Sequence, residues 1–150
     1  MSEPWSHPEL RGTWEISAIT DPCAFMRFVF AVAPSGSQWV VVHASDRNTL
    51  NRLARIGKFI EKTRWRGFLP KRPYVVVPLT PETQRELDPL LVEVNIAAAL
   101  IEHHVYQNER VVMCSYDNLS CCWLTKAIGY EVLKNASRTQ GFRFTDPDAI

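Results

Sequence analysis

Three short strand-like runs constrain the fold of this chain more than any other feature of its sequence. Trp39–Val42 and Tyr74–Val77 are continuously apolar, which is typical of strands buried on both faces, and Arg110–Cys114 predicts a further strand. Between and after these runs, apolar residues recur at helical spacing. Because strand and helix alternate, this part of the sequence predicts parallel strands joined by right-handed crossovers.

Residue types that begin helices follow each of these runs. The predicted helix starts are Ser45 or Asp46, Thr80-Pro81, Asp88-Pro89 and Asp117 or Asn118. Such side chains accept hydrogen bonds from the first free amides of a helix, and proline fits its first position. The predicted helices cover about 47–66, two pieces that meet near 89, and the stretch from the last cap to about 136. The piece over about 89–106 is apolar almost all round and should be buried.

The residues up to and including the first of these runs predict an antiparallel meander. Strand-like stretches cover 13–19, 24–33 and 38–43, and the turn residues of 34–37 favour a hairpin between the last two. The sequence therefore predicts one α/β domain over 13–136, in which a three-layer mixed sheet follows the order β-β-β-α-β-α-β-α. Residues 1–12 should form a flexible N-terminal arm, and residues 137–150 a polar C-terminal tail.

Composition favours a soluble protein of the cell interior. The fractions of hydrophobic and charged residues, 46% and 22%, are those of a globular domain. No run approaches the ~18 apolar residues of a membrane span, and the start lacks a secretory signal, so no membrane partner is expected. The four cysteines lack the spacing of a disulfide framework, which favours reduced thiols and a cytoplasmic location.

No cofactor and no metal site are expected. The adjacent pair His103-His104 is the other candidate for zinc ligation beside the cysteines, but neighbouring residues on a helix point about 100° apart. A glycine-rich phosphate loop and the common hydrolase motifs are also missing from the sequence.

Charge is distributed very unevenly. The segment from Arg47 to Arg72 contains nine basic residues and one acid, Glu61, a net of +8, whereas the other eight basic and fifteen acidic residues give −7. Such asymmetry suggests a polyanionic partner.

The helix predicted over about 47–66 would present these charges on one face. At about 100° per residue its basic residues fall within about 140°, opposite the apolar ones. The predicted contacts are Arg47, Arg52, Arg55, Lys58, Phe59, Lys62, Trp65 and Arg66. Cations neutralise phosphates and aromatic rings stack on bases, so the leading prediction is a non-enzymatic module that binds a polyanion, nucleic acid first.

Three alternatives remain open. The basic face would also suit an inhibitor or adaptor that docks on an acidic protein surface. The second alternative is that the basic face is a plain solvated surface, whose charges pair with the acidic stretch over 82–109. The third alternative is a small enzyme that acts on a nucleotide or phosphorylated ligand at the carboxyl ends of its strands. There Cys114 is the candidate nucleophile with His43 as base and Asp117 nearby, but the sequence favours a protein that is not an enzyme.

Overall fold

The computed structural model describes residues 12–61 and 73–148 of the chain. In order, these residues form β1 (Thr13–Ser17), α1 (Pro22–Val32), β2 (Ser37–Ala44), α2 (Arg47–Ile56), β3 (Lys58–Ile60), β4 (Tyr74–Pro78), α3 (Pro81–Glu93), α4 (Ile96–Ala99), β5 (Leu100–Gln107), β6 (Arg110–Tyr116), β7 (Cys121–Thr125), α5 (Tyr130–Gln140) and β8 (Arg143–Thr145). No helix within these residues is long and apolar enough to cross a lipid bilayer.

The eight strands form one sheet in the order β3-β4-β2-β5-β6-β7-β1-β8, and every neighbouring pair is antiparallel. The prediction of a mixed sheet with parallel strands in a βαβαβα arrangement is therefore wrong. The strands predicted over 39–42, 74–77 and 110–114 are confirmed, within β2, β4 and β6. Two unpredicted strands, β5 and β7, pair with β6 on either side, and both run opposite to it.

The predicted strand over 24–33 is wrong, because these residues form most of α1. The Asp21 carboxylate accepts a hydrogen bond from the Ala24 amide at 3.1 Å, and Pro22 occupies the first turn. The buried side chains of α1 recur at helical spacing and are Phe25, Met26, Val29 and Phe30. An Asp-Pro helix start was present in the sequence, as at Thr80-Pro81, but the apolar run obscured it.

The predicted buried helix over 89–106 is also wrong. α3 continues through Pro89 to Glu93, the single turn α4 follows, and the chain then enters β5 in the middle of the sheet. β5 pairs with β2 and β6, and most of its side chains are buried on both faces. Such a strand shows no alternation of polar and apolar residues, so its periodicity does not distinguish it from a buried helix.

α5 begins at Tyr130, not at the predicted cap. Asp117, Asn118 and Leu119 instead adopt positive φ angles of 51°, 58° and 70° and turn the chain from β6 into β7. Asp and Asn tolerate this backbone conformation better than most residues, so the types that cap helices also fit this turn. α5 and β8 extend into the predicted polar tail over 137–150, and β8 pairs with β1.

The two faces of the sheet carry different clusters of buried residues. On one face, side chains of the strands pack against α1, α2, α3 and α5 around Trp39, Leu53, Leu87 and Leu133. On the opposite face, the cluster consists of strand residues alone within the described chain: Val40, Val42, Tyr74, Tyr106, Val111 and Cys114. The described elements thus form two layers, a helical layer on one face of the sheet, rather than the predicted three.

Candidate ligand-binding site

The carboxyl ends of β2 and β6 lie at the same end of the sheet, since β5 between them runs the opposite way. There the Ser45 amide donates to the Ala99 carbonyl oxygen at 2.7 Å, and the Asn118 side chain donates to the Ala98 carbonyl oxygen at 3.2 Å. β4 is antiparallel to β2, so Thr80 lies at the opposite end. The site predicted at the carboxyl ends of the three strands would therefore contain the ends of β2 and β6 but not that of β4.

The candidate catalytic residues do not come together. Cys114 is fully buried, with 0% of its surface exposed, whereas His43 is exposed at the end of β2. β5 lies between their two strands, which separates the backbones by roughly 10 Å, or two strand spacings. Asp117 is exposed in the turn after β6. Because a nucleophile needs a base within hydrogen-bonding reach, this arrangement does not support a Cys114–His43 pair.

A buried polar cluster on β5 and β6 was missed by the sequence interpretation. His104 Nε2 lies 3.0 Å from the Glu102 carboxylate, and the Ser115 amide donates to His104 Nδ1 at 3.3 Å. Since Nδ1 accepts this hydrogen bond, a neutral His104 ring carries its hydrogen on Nε2, and Nε2 donates a hydrogen bond to the Glu102 carboxylate. Both ring nitrogens are thus engaged, which suits a structural role. The alternation of Glu102, His104 and Tyr106 along one strand face was the signal for this cluster.

His103 points to the helical side of the sheet and is fully buried. Its Nδ1 accepts a hydrogen bond from Trp39 Nε1 at 3.0 Å. Burial, with a smaller contribution from His104, lowers the pKa of His103 to about 3. The ring is therefore neutral near pH 7, and within the described residues no group of three or more His, Cys, Asp or Glu side chains is arranged to hold a metal ion.

The basic face of α2 is shorter than predicted. Asp46 caps the helix through the Thr49 amide at 2.8 Å, and α2 ends at Ile56 rather than near 66. Arg47 and Arg55 are exposed and form no ion pair within the described chain. Arg52 pairs with Glu93 of the acidic stretch at 2.7 Å, so one of the predicted contacts is neutralised within the molecule.

Gly57 explains why the helix stops. A Cβ atom added at Gly57 would overlap the Val76 carbonyl oxygen, so α2 ends where the chain passes closely over β4. Lys58 and Phe59 then belong to the edge strand β3, on which successive side chains point to opposite faces. Phe59 therefore lies on the helical side of the sheet and Lys58 on the other side. The remaining predicted contacts, Lys62, Trp65 and Arg66, lie outside the described residues.

A pocket of about 300 Å³ opens between α2 and β3, and we call it the α2–β3 pocket. It is lined by Arg47, Leu50, Asn51, Ala54, Phe59 and Glu61. Leu50 and Ala54 are half-buried and join the core, whereas Phe59 remains 43% exposed. Apolar walls with a few convergent polar groups are typical of ligand sites, and here they include an aromatic ring and a guanidinium.

A second pocket of about 320 Å³ lies between the end of α1 and the start of α5. Its lining residues are Val32, Pro34, Thr125, Ala127, Ile128, Gly129 and Val132. None of these described side chains is charged, so they offer an anionic ligand no cation. The α2–β3 pocket has the more distinctive chemistry of the two.

Of the predicted contacts that lie within the described residues, Arg47 and Phe59 line the α2–β3 pocket, and the sequence interpretation missed the four other described residues that line it. Leu50, Asn51 and Ala54 follow Arg47 at helical spacing, so the helical period alone places them beside it. Comparisons with protein-family models, with curated proteins and with solved structures found no match for this chain.

Proposed function

We propose that this protein is a non-enzymatic module that binds single-stranded nucleic acid at the α2–β3 pocket. The observation that carries the proposal is the exposed ring of Phe59, which shares one concave site with the exposed guanidinium of Arg47. A ring of this kind offers a stacking surface for a base, while the cation neutralises a phosphate beside it.

Charge around the pocket supports the same ligand. Arg55 lies eight residues after Arg47 and therefore about 80° around α2, next to Asn51. The segment over 62–72, which follows Glu61 in the sequence, contains five basic residues and no acid. Exposed ion pairs contribute only about 0–1 kcal/mol to stability, so folding does not account for this concentration of cations.

Single strands fit the pocket better than duplexes do. A base reaches Phe59 only when it leaves the base stack, and extruding a paired base from a duplex costs a few kcal/mol. We therefore expect tighter binding to a mixed-sequence single strand than to the duplex of the same sequence.

The test is fluorescence anisotropy with a labelled 12-nucleotide single strand at low salt. Phe59→Ala should weaken binding about tenfold, since each stacked base contributes about 1–3 kcal/mol. The matched control is Tyr130→Ala, which removes an aromatic residue of similar exposure, 51%, near the opposite edge of the sheet. This control should change the affinity less than twofold.

Two results would overturn the proposal. One is the absence of binding below ~100 µM at low salt; the other is an equal loss in Phe59→Ala and Tyr130→Ala. If Phe59→Ala instead abolishes binding to an acidic protein while nucleic acid does not bind, the docking alternative replaces the present one.

A further inference from the structure

We propose that the α2–β3 pocket selects among bases, and that Glu61 makes the selection by accepting a hydrogen bond from an exocyclic amino group. This inference rests on the proposed function. It predicts that cytosine and adenine, which carry such a group, bind better than uracil and thymine, which present a carbonyl oxygen instead.

The position of Glu61 is the reason for this inference. Its side chain lines the pocket together with Arg47, yet it forms no ion pair within the described chain. An acid in a site that attracts phosphates weakens binding by charge alone. Its presence is therefore better explained by a role toward the uncharged part of the ligand, where a carboxylate accepts hydrogen bonds from N–H groups.

The other lining residues orient a base toward Glu61. Phe59 offers one face for stacking, and Leu50 and Ala54 form an apolar wall on α2. Asn51 adds an amide that donates and accepts hydrogen bonds, so it pairs with a ring carbonyl that cytosine and uracil share. In this arrangement Asn51 contributes affinity for both pyrimidines, and Glu61 distinguishes between them.

The discriminating experiment compares oligo-dC with oligo-dU of 12 nucleotides. These ligands have the same charge and length, and they differ at position 4 of the base and at the adjacent ring nitrogen. Oligo-dC should bind about fivefold tighter, at the low end of the range for base contacts because Glu61 and Asn51 are both exposed.

Glu61→Gln tests the residue itself. The amide is of similar size and pairs with either an amino group or a carbonyl, so the ratio of the dC and dU affinities should fall to about one. Loss of the negative charge raises both affinities, and for that reason the ratio is the readout. Glu131→Gln, which removes an exposed acid from α5, should leave the ratio at about fivefold. Asn51→Ala should weaken both ligands by a similar factor.

The outcomes separate this inference from the proposed function. If oligo-dC and oligo-dU bind equally to the unmodified protein, or if Glu61→Gln keeps their ratio, Glu61 does not select and the inference is wrong. The proposed function still stands in that case, provided that Phe59→Ala weakens both ligands. If neither ligand depends on Phe59, both proposals are wrong.

Discussion

The two edges of the sheet contain similar residue types but use them differently. At the β8 edge, the rings of Trp14, Tyr130 and Phe144 pack against one another with centroids 5.6–6.2 Å apart. Lys126 lies 5.3 Å from the Trp14 ring centroid and pairs with Asp146 at 2.5 Å. The aromatic and cationic groups there are largely satisfied by one another.

At the β3 edge, the corresponding groups have no such partners among the described residues. Phe59 contacts no other ring, and Arg47 and Arg55 form no ion pair, within residues 12–61 and 73–148. A pocket separates Phe59 from α2. Composition alone therefore does not identify a binding surface, because a ring and a cation attract a ligand only where the fold leaves them unpaired.

The largest expected difference between the edges is in stability. Trp14→Ala should lower the free energy of unfolding by about 3 kcal/mol, since it removes a half-buried ring and the hydrogen bond from Trp14 Nε1 to the Ile128 carbonyl oxygen at 2.9 Å. Phe59→Ala should cost only about 1 kcal/mol, because 43% of the Phe59 surface is already exposed. Urea unfolding of both variants measures these values, and equal costs would show that the edges are equally packed.

The centre of the sheet should be sensitive to acid pH, whereas its two edges should not. No histidine occurs in α2, β3, α5 or β8, whereas β5 contains the buried His103. The pKa of His103 falls from 6.5 to about 3 on folding. The unfolded chain therefore binds more protons between these values, and stability present above pH 6.5 is lost as the pH falls toward 3.

Between pH 7 and pH 5 this loss amounts to about 2 kcal/mol. Urea unfolding at the two pH values measures it. His103→Gln keeps an acceptor for Trp39 Nε1 and should flatten the dependence by that amount. A dependence that is unchanged in this variant would assign the acid sensitivity to another group. Binding at the β3 edge should not change over the same range while the protein remains folded.

Affinity should respond to charge at one edge only. Arg47→Glu should weaken single-strand binding about tenfold, or about 1.4 kcal/mol, because a phosphate contact becomes a repulsion. Arg143→Glu, an exposed cation of β8, makes the same change of charge and should have less than a twofold effect. Anisotropy titrations at one fixed salt concentration give both values. Equal losses would mean that net charge, and not the β3 edge, governs binding.

The smallest expected effect is on the salt dependence. Each phosphate contact to a single strand contributes about −0.7 to the slope of log K against log salt. Replacing both Arg47 and Arg55 by Ala should therefore flatten the slope by about 1.4, while Lys126→Ala should leave it unchanged. A slope that the double variant does not alter would place the phosphate contacts elsewhere on the protein.

Short-range signals in the sequence predicted the parts of the fold that depend on neighbouring residues. The strands around Trp39–Val42 and Tyr74–Val77 and the helix starts at Asp46 and Thr80 are confirmed. A capping residue bonds through its side chain to an amide within the next three residues, so the residue type alone indicates where a helix begins. The uneven charge is a property of the sequence itself, and the role of Arg47 in binding stays a prediction.

The tertiary structure decided whether apolar runs became strands or helices and how the strands paired. Leu100–Gln107 is a strand because β2 and β6 supply hydrogen-bonding partners on both sides, which no local pattern records. The α2–β3 pocket likewise depends on contacts between segments that are distant in the sequence. Phe59 lies beside Arg47 because α2 stops at Gly57, where β4 leaves no room for a side chain, and the chain then continues along the sheet edge. Pairing direction and close packing are properties of distant segments in contact, and the sequence specifies them only through the sum of all such contacts.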